Sequence, residues 1–306
     1  MPITEYQLEQ RKKHIGSSDA APILGLSPYR NAYDIWLDKT GRIEASEESQ
    51  KGSEAMDIGK MVENGILDWA ANELSLKVIK NQYRVHKDGI LSATHDAIAD
   101  HLPEGLEAKT AGLMGPLRDS WGEAGTDEVP DHVLIQCMHQ MIVSDLDVVY
   151  VPALLGGRGR VLYRVNRDED LCRSMLDKLT AFWENYVVSN VPPRDLMPSM
   201  DVAKKIRREP NSKVSLGEDL VQAWLAAKEE KKRAEENEES AKLALIAALG
   251  EAESGECETG FVTYLEQSKR SVDMKGLREA YGGMVSQYES KTKYRVLRWK
   301  EAKKDE

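Results

Sequence analysis

The chain has 306 residues, 42 Lys and Arg against 52 Asp and Glu for a formal net charge of −10, and a hydrophobic fraction of 41%, which suits about two globular domains and excludes a protein of the disordered-tail class. The acidity argues against coating nucleic acid by bulk charge, since non-specific binding is driven by Lys and Arg on phosphates, so any DNA contact has to be focal. No apolar run approaches the roughly 20 residues of a membrane span, the opening MPITEYQLEQRKK lacks a signal-peptide core, and Cys137, Cys172 and Cys257 form neither a disulfide framework nor a zinc motif, so a reducing cytoplasm is expected.

Tyr33, Trp36 and Leu37 recur at helical spacing, so residues 31–40 read as a helix stopped by Gly41. Residues 46–53 carry no large apolar side chain and read as a loop. A long amphipathic helix follows over residues 56–74, with Ile58, Met61, Val62, Ile66, Leu67 and Trp69 on its apolar stripe. From residue 77 the period drops towards two, in KVIKNQYRVH, then GILSATHDAIAD, then LEAKT after the turn-like HLPEG. Residues 131–145 return to helix. VVYVPALL and VLYRV form a hairpin across GGRGR, and residues 168–190 are another amphipathic helix.

The proline-rich VPPRDLMPSM reads as the exit from a first domain, giving domains of 1–200 and 201–306. The second opens with a helix over residues 215–249, whose middle, KEEKKRAEENEESAK, is charged without sustained heptads. A small β unit follows, made of TGFVTYLEQ, a helix around MKGLREAYG, and the basic, aromatic strand KTKYRVLRWK. The lysine face of that strand reads as solvated.

The chemistry concentrates in LSATHDAIADHLPEGLEAKT. If residues 92–100 and 105–110 pair antiparallel around the four-residue loop HLPE, paired numbers total 205. Asp96 then opposes Lys109, Ile98 opposes Glu107, and Asp96, Glu107 and Lys109 share a face. A one-residue slip would send Asp96 to the other side. On that other side Ala93, Ala97, Ala99, Leu106 and Ala108 are small or apolar, which suits packing against a helix. Two carboxylates and a lysine suit phosphodiester hydrolysis. Hard oxygen ligands favour Mg²⁺ or Mn²⁺, the Ala108 carbonyl adds another oxygen, and the lysine orients or deprotonates the nucleophile. On spacing alone, surface ion pairs on a hairpin account for the triplet better. The apolar strand around it favours a site, because three ionisable groups on such a face are costly unless solvated or bound.

Four segments in order, RKKHIGSSDAAPILGLSPYRNAYDIWLDKTG, GKMVENGILDWA, ATHDAIAD with LEAKT, and VPDHVLIQCMHQMIVSDLDVVYVPAL, resemble the YqaJ-type viral recombinase family, which includes lambda-type exonucleases of the PD-(D/E)xK nuclease superfamily. The resemblance runs from about residue 8 to about 190. It implies an α+β or α/β fold with a PD-(D/E)xK restriction-endonuclease-like core, a central mixed sheet flanked by helices, here followed by a helical and small-β extension.

Carried over by position, Asp96, Glu107, the Ala108 carbonyl and Glu63 hold metal, two Mg²⁺ or Mn²⁺ ions in all. Lys109 is the catalytic lysine and Gln136 the glutamine of the helix after the core hairpin, with Gln140 one turn later. Arg11, Ser18 and Thr94 grip a terminal 5′-phosphate, although IGSSDAA equally suits a helix start capped by Ser17 or Ser18. Ser17 replaces the family's usual second glycine, and His95 precedes Asp96 where the superfamily name advertises proline. His132, Cys137 and His139 lack the spacing of a zinc site.

The implied activity is 5′ to 3′ degradation of one strand of linear duplex DNA, leaving a 3′ single-stranded tail for recombination. The implied setting is a bacterial or phage-infected cytoplasm, with a ring-shaped homo-oligomer, a trimer foremost, and a single-strand annealing protein as partner. An endonuclease on the same core and a non-catalytic DNA-binding scaffold are the alternatives. No nucleotide-binding loop is present, so ATP is expected to be dispensable.

Overall fold

The computed structural model describes residues 10, 12–43, 54–113, 121–194, 196–207 and 209–289. Two units divide the chain, Met1–Arg208 and Glu209–Glu306. Among the described residues no helix is long and apolar enough to cross a membrane.

The first unit is built on a mixed sheet. Strands β1 (Val78–Val85) and β2 (Ser92–Ala99) pair antiparallel, and β2 continues antiparallel onto the short β3 (Glu104–Leu106). β3 and β4 (Lys109–Ala111) lie end to end along one side of β5 (Val148–Leu155), parallel to it and in one register, since Leu106 faces Tyr150 and Lys109 faces Ala153. Glu107 and Ala108 are the break between them. β6 (Gly159–Asn166) closes the other side of β5 as the expected hairpin, with Gly157 and Gly159 taking the positive φ its turn requires.

The register between β2 and β3 differs from the sequence expectation. Ala97 pairs with Leu106 and Ile98 with Gly105, so paired numbers total 203 instead of 205. The chain turns over residues 100–103 because Asp100 stays with β1. Its N–H donates to the Lys77 carbonyl at 2.7 Å, its carboxylate meets Lys77 Nζ at 2.9 Å, and His101 takes φ +74°. The slip is two residues. Side chains alternate with period two, so an even slip preserves which residues share a face, and it brings Asp96 level with Glu107 instead of Lys109.

Helices cover both faces. α1 (Ser17–Ile23), α2 (Ala32–Lys39), α4 (Asp131–Ser144) and α5 (Glu169–Phe182, continued by a π-helical turn at Trp183–Val188) enclose the larger core, which includes Ile15, Ile35, Trp36, Val133, Met141, Val149, Val151, Tyr163, Met175 and Leu179. α3 (Glu54–Glu73) covers the other face, where Leu67 and Ala70 pack on Ala97 and Leu106. The stripe expected for α3 holds at Ile66 and Leu67, but Met61 is 82% exposed. The first half of that helix instead passes close to β4. A Cβ on Gly59 would come within 3.1 Å of Thr110 Oγ1.

Local chemistry fixes the helix ends. Asn31 Oδ1 accepts from the N–H groups of Tyr33 and Asp34, Asp34 Oδ2 accepts in return from Asn31 N–H, and Gly41 with φ +71° stops α2. α1 is not capped by a serine. Gly16 holds that position, and the carboxylate of buried Asp19 reaches back to its N–H at 3.0 Å. Asp19 also forms a buried ion pair with Lys39 at 2.6 Å, which lowers its pKa against the opposing effect of burial.

Past the proline-rich stretch the chain stays with the first unit. Ser199 N–H donates to Asp34 Oδ1 at 2.8 Å, a short helix α6 (Met200–Ala203) follows, and Ile206 bridges to Ile43. The second unit holds α7 (Glu218–Leu249), the hairpin β7 (Ser254–Cys257) and β8 (Gly260–Thr263), and α8 (Met274–Val285). None of its described residues is buried. The charged middle of α7 is laced by Lys231–Glu235 and Lys232–Glu236 pairs one turn apart, at 3.6 and 3.7 Å. The strand expected over KTKYRVLRWK lies outside the described residues.

Candidate active site

Three sequence-distant segments meet where β3 breaks into β4. The break turns Glu107 inward to a buried position, 4% exposed, and Lys109 follows two residues on. Lys109 Nζ donates to Glu107 Oε1 at 2.6 Å and to Gln136 Oε1 at 2.8 Å. Gln136, on the middle of α4, donates its Nε2 to the same Glu107 oxygen at 2.6 Å, closing a ring of three side chains. One turn later Gln140, wholly buried, donates Nε2 to Glu107 Oε2 at 2.6 Å.

Asp96 enters from β2. β2 pairs with β3 only at Ala97 and Ile98. Just beyond those pairs the Asp96 carboxylate fills the widening gap, Oδ2 accepting from Ala108 N–H at 2.9 Å. Its pKa is raised well above the ordinary carboxylate value, first by burial and then by the Glu107 charge, with Glu63 adding to the effect and Lys109 opposing it. Burial pulls the Lys109 pKa down, but Glu107 and Asp96 outweigh it and the net shift is upward. Lys109 is therefore an ammonium in this arrangement, a donor and not a free base.

The structure thus brings together Asp96, Glu107, Ala108, Lys109 and Gln136. Glu63, half-buried on α3, is near enough for its charge to act on Asp96. Thr94 lies two residues before Asp96 on β2 and is half-buried, while Ser18 is exposed on the first turn of α1. The start of α1 is tied to the start of β2 through the Ile15–Leu91 bridge. Arg11 lies outside the described residues.

Among the described residues no three His, Cys, Asp or Glu side chains gather at metal-binding distance. The oxygen ligands that the structure brings together are instead two carboxylates, Asp96 and Glu107. A small hard cation that keeps several waters fits that set, and the crowding that raises Asp96 is what a cation between two acids would relieve. Cys137 and His139 are buried core residues of α4. His95 is buried with Nε2 2.7 Å from Ser144 Oγ.

Two residues were not assigned roles in advance. Gln140 was visible in the sequence only as a second glutamine at i+4 from Gln136, a pair that by itself reads as the polar stripe of a helix. His95 carried no signal beyond standing next to Asp96.

The uncharacterized protein YqaJ of Bacillus subtilis (strain 168) is 30% identical over 196 residues, spanning 61% of this chain. The chain spans 57% of the length of that relative. Among solved structures, an alkaline exonuclease (LHK-Exo) from Laribacter hongkongensis aligns with TM-score 0.48 at 14% identity, covering 61% of this chain and 94% of that one. A phage related exonuclease from Haemophilus somnus 129PT aligns with TM-score 0.38 at 14% identity, covering 60% and 98%. Residues 7–147, which contain Glu63, Asp96, Glu107, Lys109, Gln136 and Gln140, match the model of the YqaJ-like viral recombinase domain.

Proposed function

We propose that the protein is a divalent-metal-dependent deoxyribonuclease, of the phage exonuclease kind, that degrades one strand of linear duplex DNA from its 5′ end. The observation that carries the reading is the Glu107 carboxylate held by Lys109, Gln136 and Gln140 with the Asp96 carboxylate beside it on the neighbouring strand. The match to a viral recombinase domain supports DNA as the substrate.

Asp96, Glu107 and the Ala108 carbonyl would hold one Mg²⁺ or Mn²⁺ ion, and Glu63 is the acid on which a second would draw. When bound, such an ion neutralises charge building on the scissile phosphate and lowers the pKa of a coordinated water. The protein's own groups position the reactants. Lys109, charged and anchored at both Glu107 and Gln136, presents an ammonium to the attacking water and the phosphate oxygens. Gln136 fixes the lysine by accepting a hydrogen bond from its ammonium through Oε1 while donating to Glu107 through Nε2, and its amide orientation follows from those two bonds. Ser18 and Thr94 supply hydroxyl donors for a 5′-terminal phosphate, with Arg11 as the guanidinium partner. A ring-shaped homo-oligomer would concentrate the few basic residues of an acidic chain around the duplex.

The deciding experiment offers linear duplex and covalently closed circular DNA to the protein with Mg²⁺ present or chelated. Digestion of the linear substrate alone, dependent on Mg²⁺ and lost in Lys109→Ala, is expected. Cleavage of the closed circle would make the protein an endonuclease, and binding without cleavage of either substrate would make it a scaffold. Comparing 5′-phosphorylated with 5′-hydroxyl ends tests the polarity.

A further inference from the structure

We propose that α7 pairs with the α7 of a second copy of this chain, antiparallel, about a two-fold axis that passes between Arg233 and Ala234. This pairing concerns the second unit alone and is independent of the activity proposed above. α7 has 32 residues and no buried one. It is about 48 Å of helix at 1.5 Å per residue, without the packed face from which helices in proteins draw most of their stability. Its partner is encoded along one side. Val221, Trp224, Lys228 and Lys232 share a face, and Glu235, Glu239, Leu243 and Ile246 continue it at spacings of three and four residues. In order, that stripe reads two apolar, two basic, two acidic and two apolar. It follows 3.6 residues per turn and not 3.5, so no heptad announces it.

Turned end for end, the stripe complements itself. When paired numbers total 467, Val221 meets Ile246, Trp224 meets Leu243, Lys228 meets Glu239 and Lys232 meets Glu235. Each pair then occurs twice, as an isologous contact requires. The apolar ends supply area to bury and the charged middle sets direction and register. A parallel pair would put lysine against lysine and glutamate against glutamate. Sliding one copy by seven residues, to totals of 460 or 474, would set Lys228 against Lys232 or Glu235 against Glu239.

The groups are available for this contact. Leu243 is 59% exposed, and Val221, Trp224 and Ile246 are half-buried. Lys228 Nζ lies 5.6 Å from the Trp224 ring centroid, so the apolar and basic parts of the stripe already touch. The pairs Lys231–Glu235 and Lys232–Glu236 within the helix join side chains that are 63 to 75% exposed. Such surface pairs contribute about 0.3–0.5 kcal/mol each, too little to withhold Lys232 and Glu235 from a partner.

The test is light scattering coupled to size-exclusion chromatography of the full-length protein. Four samples are compared: wild type, Lys228→Glu with Lys232→Glu, Glu235→Lys with Glu239→Lys, and an equimolar mixture of the two variants. Circular dichroism confirms that the helix content of each variant is kept. Each variant alone is expected to run at about half the wild-type mass, whatever ring the first unit forms, since only the two-fold contact is broken. The mixture is expected to regain the wild-type mass, because the reversed residues of one variant then face those of the other. A wild type with the mass of one chain overturns the pairing, as does an unchanged mass in both variants, the outcome if α7 is covered by its own chain. Loss of mass without recovery on mixing also overturns it, since charge reversal would then have disturbed something other than this register. No readout depends on nuclease activity, so the pairing and the proposed function stand or fall separately.

Discussion

Acidification from pH 7 to pH 5 should destabilise the first unit through two buried histidines. His139 on α4 is wholly buried, and burial pushes its pKa from 6.5 to about 4, with Asp19 opposing and His95 adding to the shift. His95 is pushed to about 4, again mainly by burial, with Glu107 opposing and Arg84 adding. Between about pH 4 and 6.5 the unfolded chain therefore binds more protons at these sites than the folded one, so stability is lost as pH falls through that window. Each unit of depression corresponds to about 1.4 kcal/mol, and integrating from pH 7 to pH 5 gives about 2 kcal/mol for each histidine. Asp96, whose pKa is raised, contributes with the opposite sign. The informative quantity is therefore the difference between wild type and His139→Phe in urea unfolding at the two pH values, followed by tryptophan fluorescence. Asp96 and His95 are common to both proteins, so the variant should lose about 2 kcal/mol less than wild type over the same interval. Equal losses in the two proteins would refute the assignment of His139 as a buried neutral imidazole.

Replacing Asp96 with Asn should raise the melting temperature of the metal-free protein by a few degrees, because it removes a buried acid that Glu107 repels, while abolishing Mg²⁺-dependent DNA degradation. Mg²⁺ at 100 times its dissociation constant should stabilise the wild type by about 2.7 kcal/mol in thermal unfolding and leave Asp96→Asn unmoved. Lys39→Met leaves Asp19 as a buried carboxylate held by the Gly16 N–H at 3.0 Å, with Arg30, at 3.9 Å, as the more distant cation. It should cost about 3–5 kcal/mol in denaturant unfolding. Asp34→Ala deprives the N–H groups of Asn31 and Ser199 of their acceptor. It should cost about 2 kcal/mol and open residues 197–207 to limited proteolysis before the rest of the unit.

How much of the site could be read from the sequence follows from which of its properties are periodic. Asp96, Glu107 and Lys109 sit at odd and even positions of two strands, and parity survives any even error in register. The loop was placed one residue late, because nothing local reveals that Asp100 N–H is spoken for by Lys77. The resulting two-residue slip nevertheless left all three groups together. The same error by one residue would have dispersed them.

What periodicity does not encode is the partner of a buried polar group. Gln136 and Gln140 announce a shared helix face, yet their target, Glu107, is some thirty residues away in sequence and is turned towards them only because the β3–β4 strand breaks at that residue. Asp19 was legible as an acid near a helix start, and its link to Gly16 is local. Its dominant interaction, with Lys39, depends on α1 and α2 folding against each other. In both cases the sequence shows the polar residue and its local setting, a polar stripe on a helix for the glutamines and a helix start for Asp19, and not the partner. A buried amide or acid has to be matched or it is selected against on stability alone. A polar side chain that folding buries therefore marks a tertiary contact, and Gln140 makes its own through its nitrogen, to Glu107 Oε2.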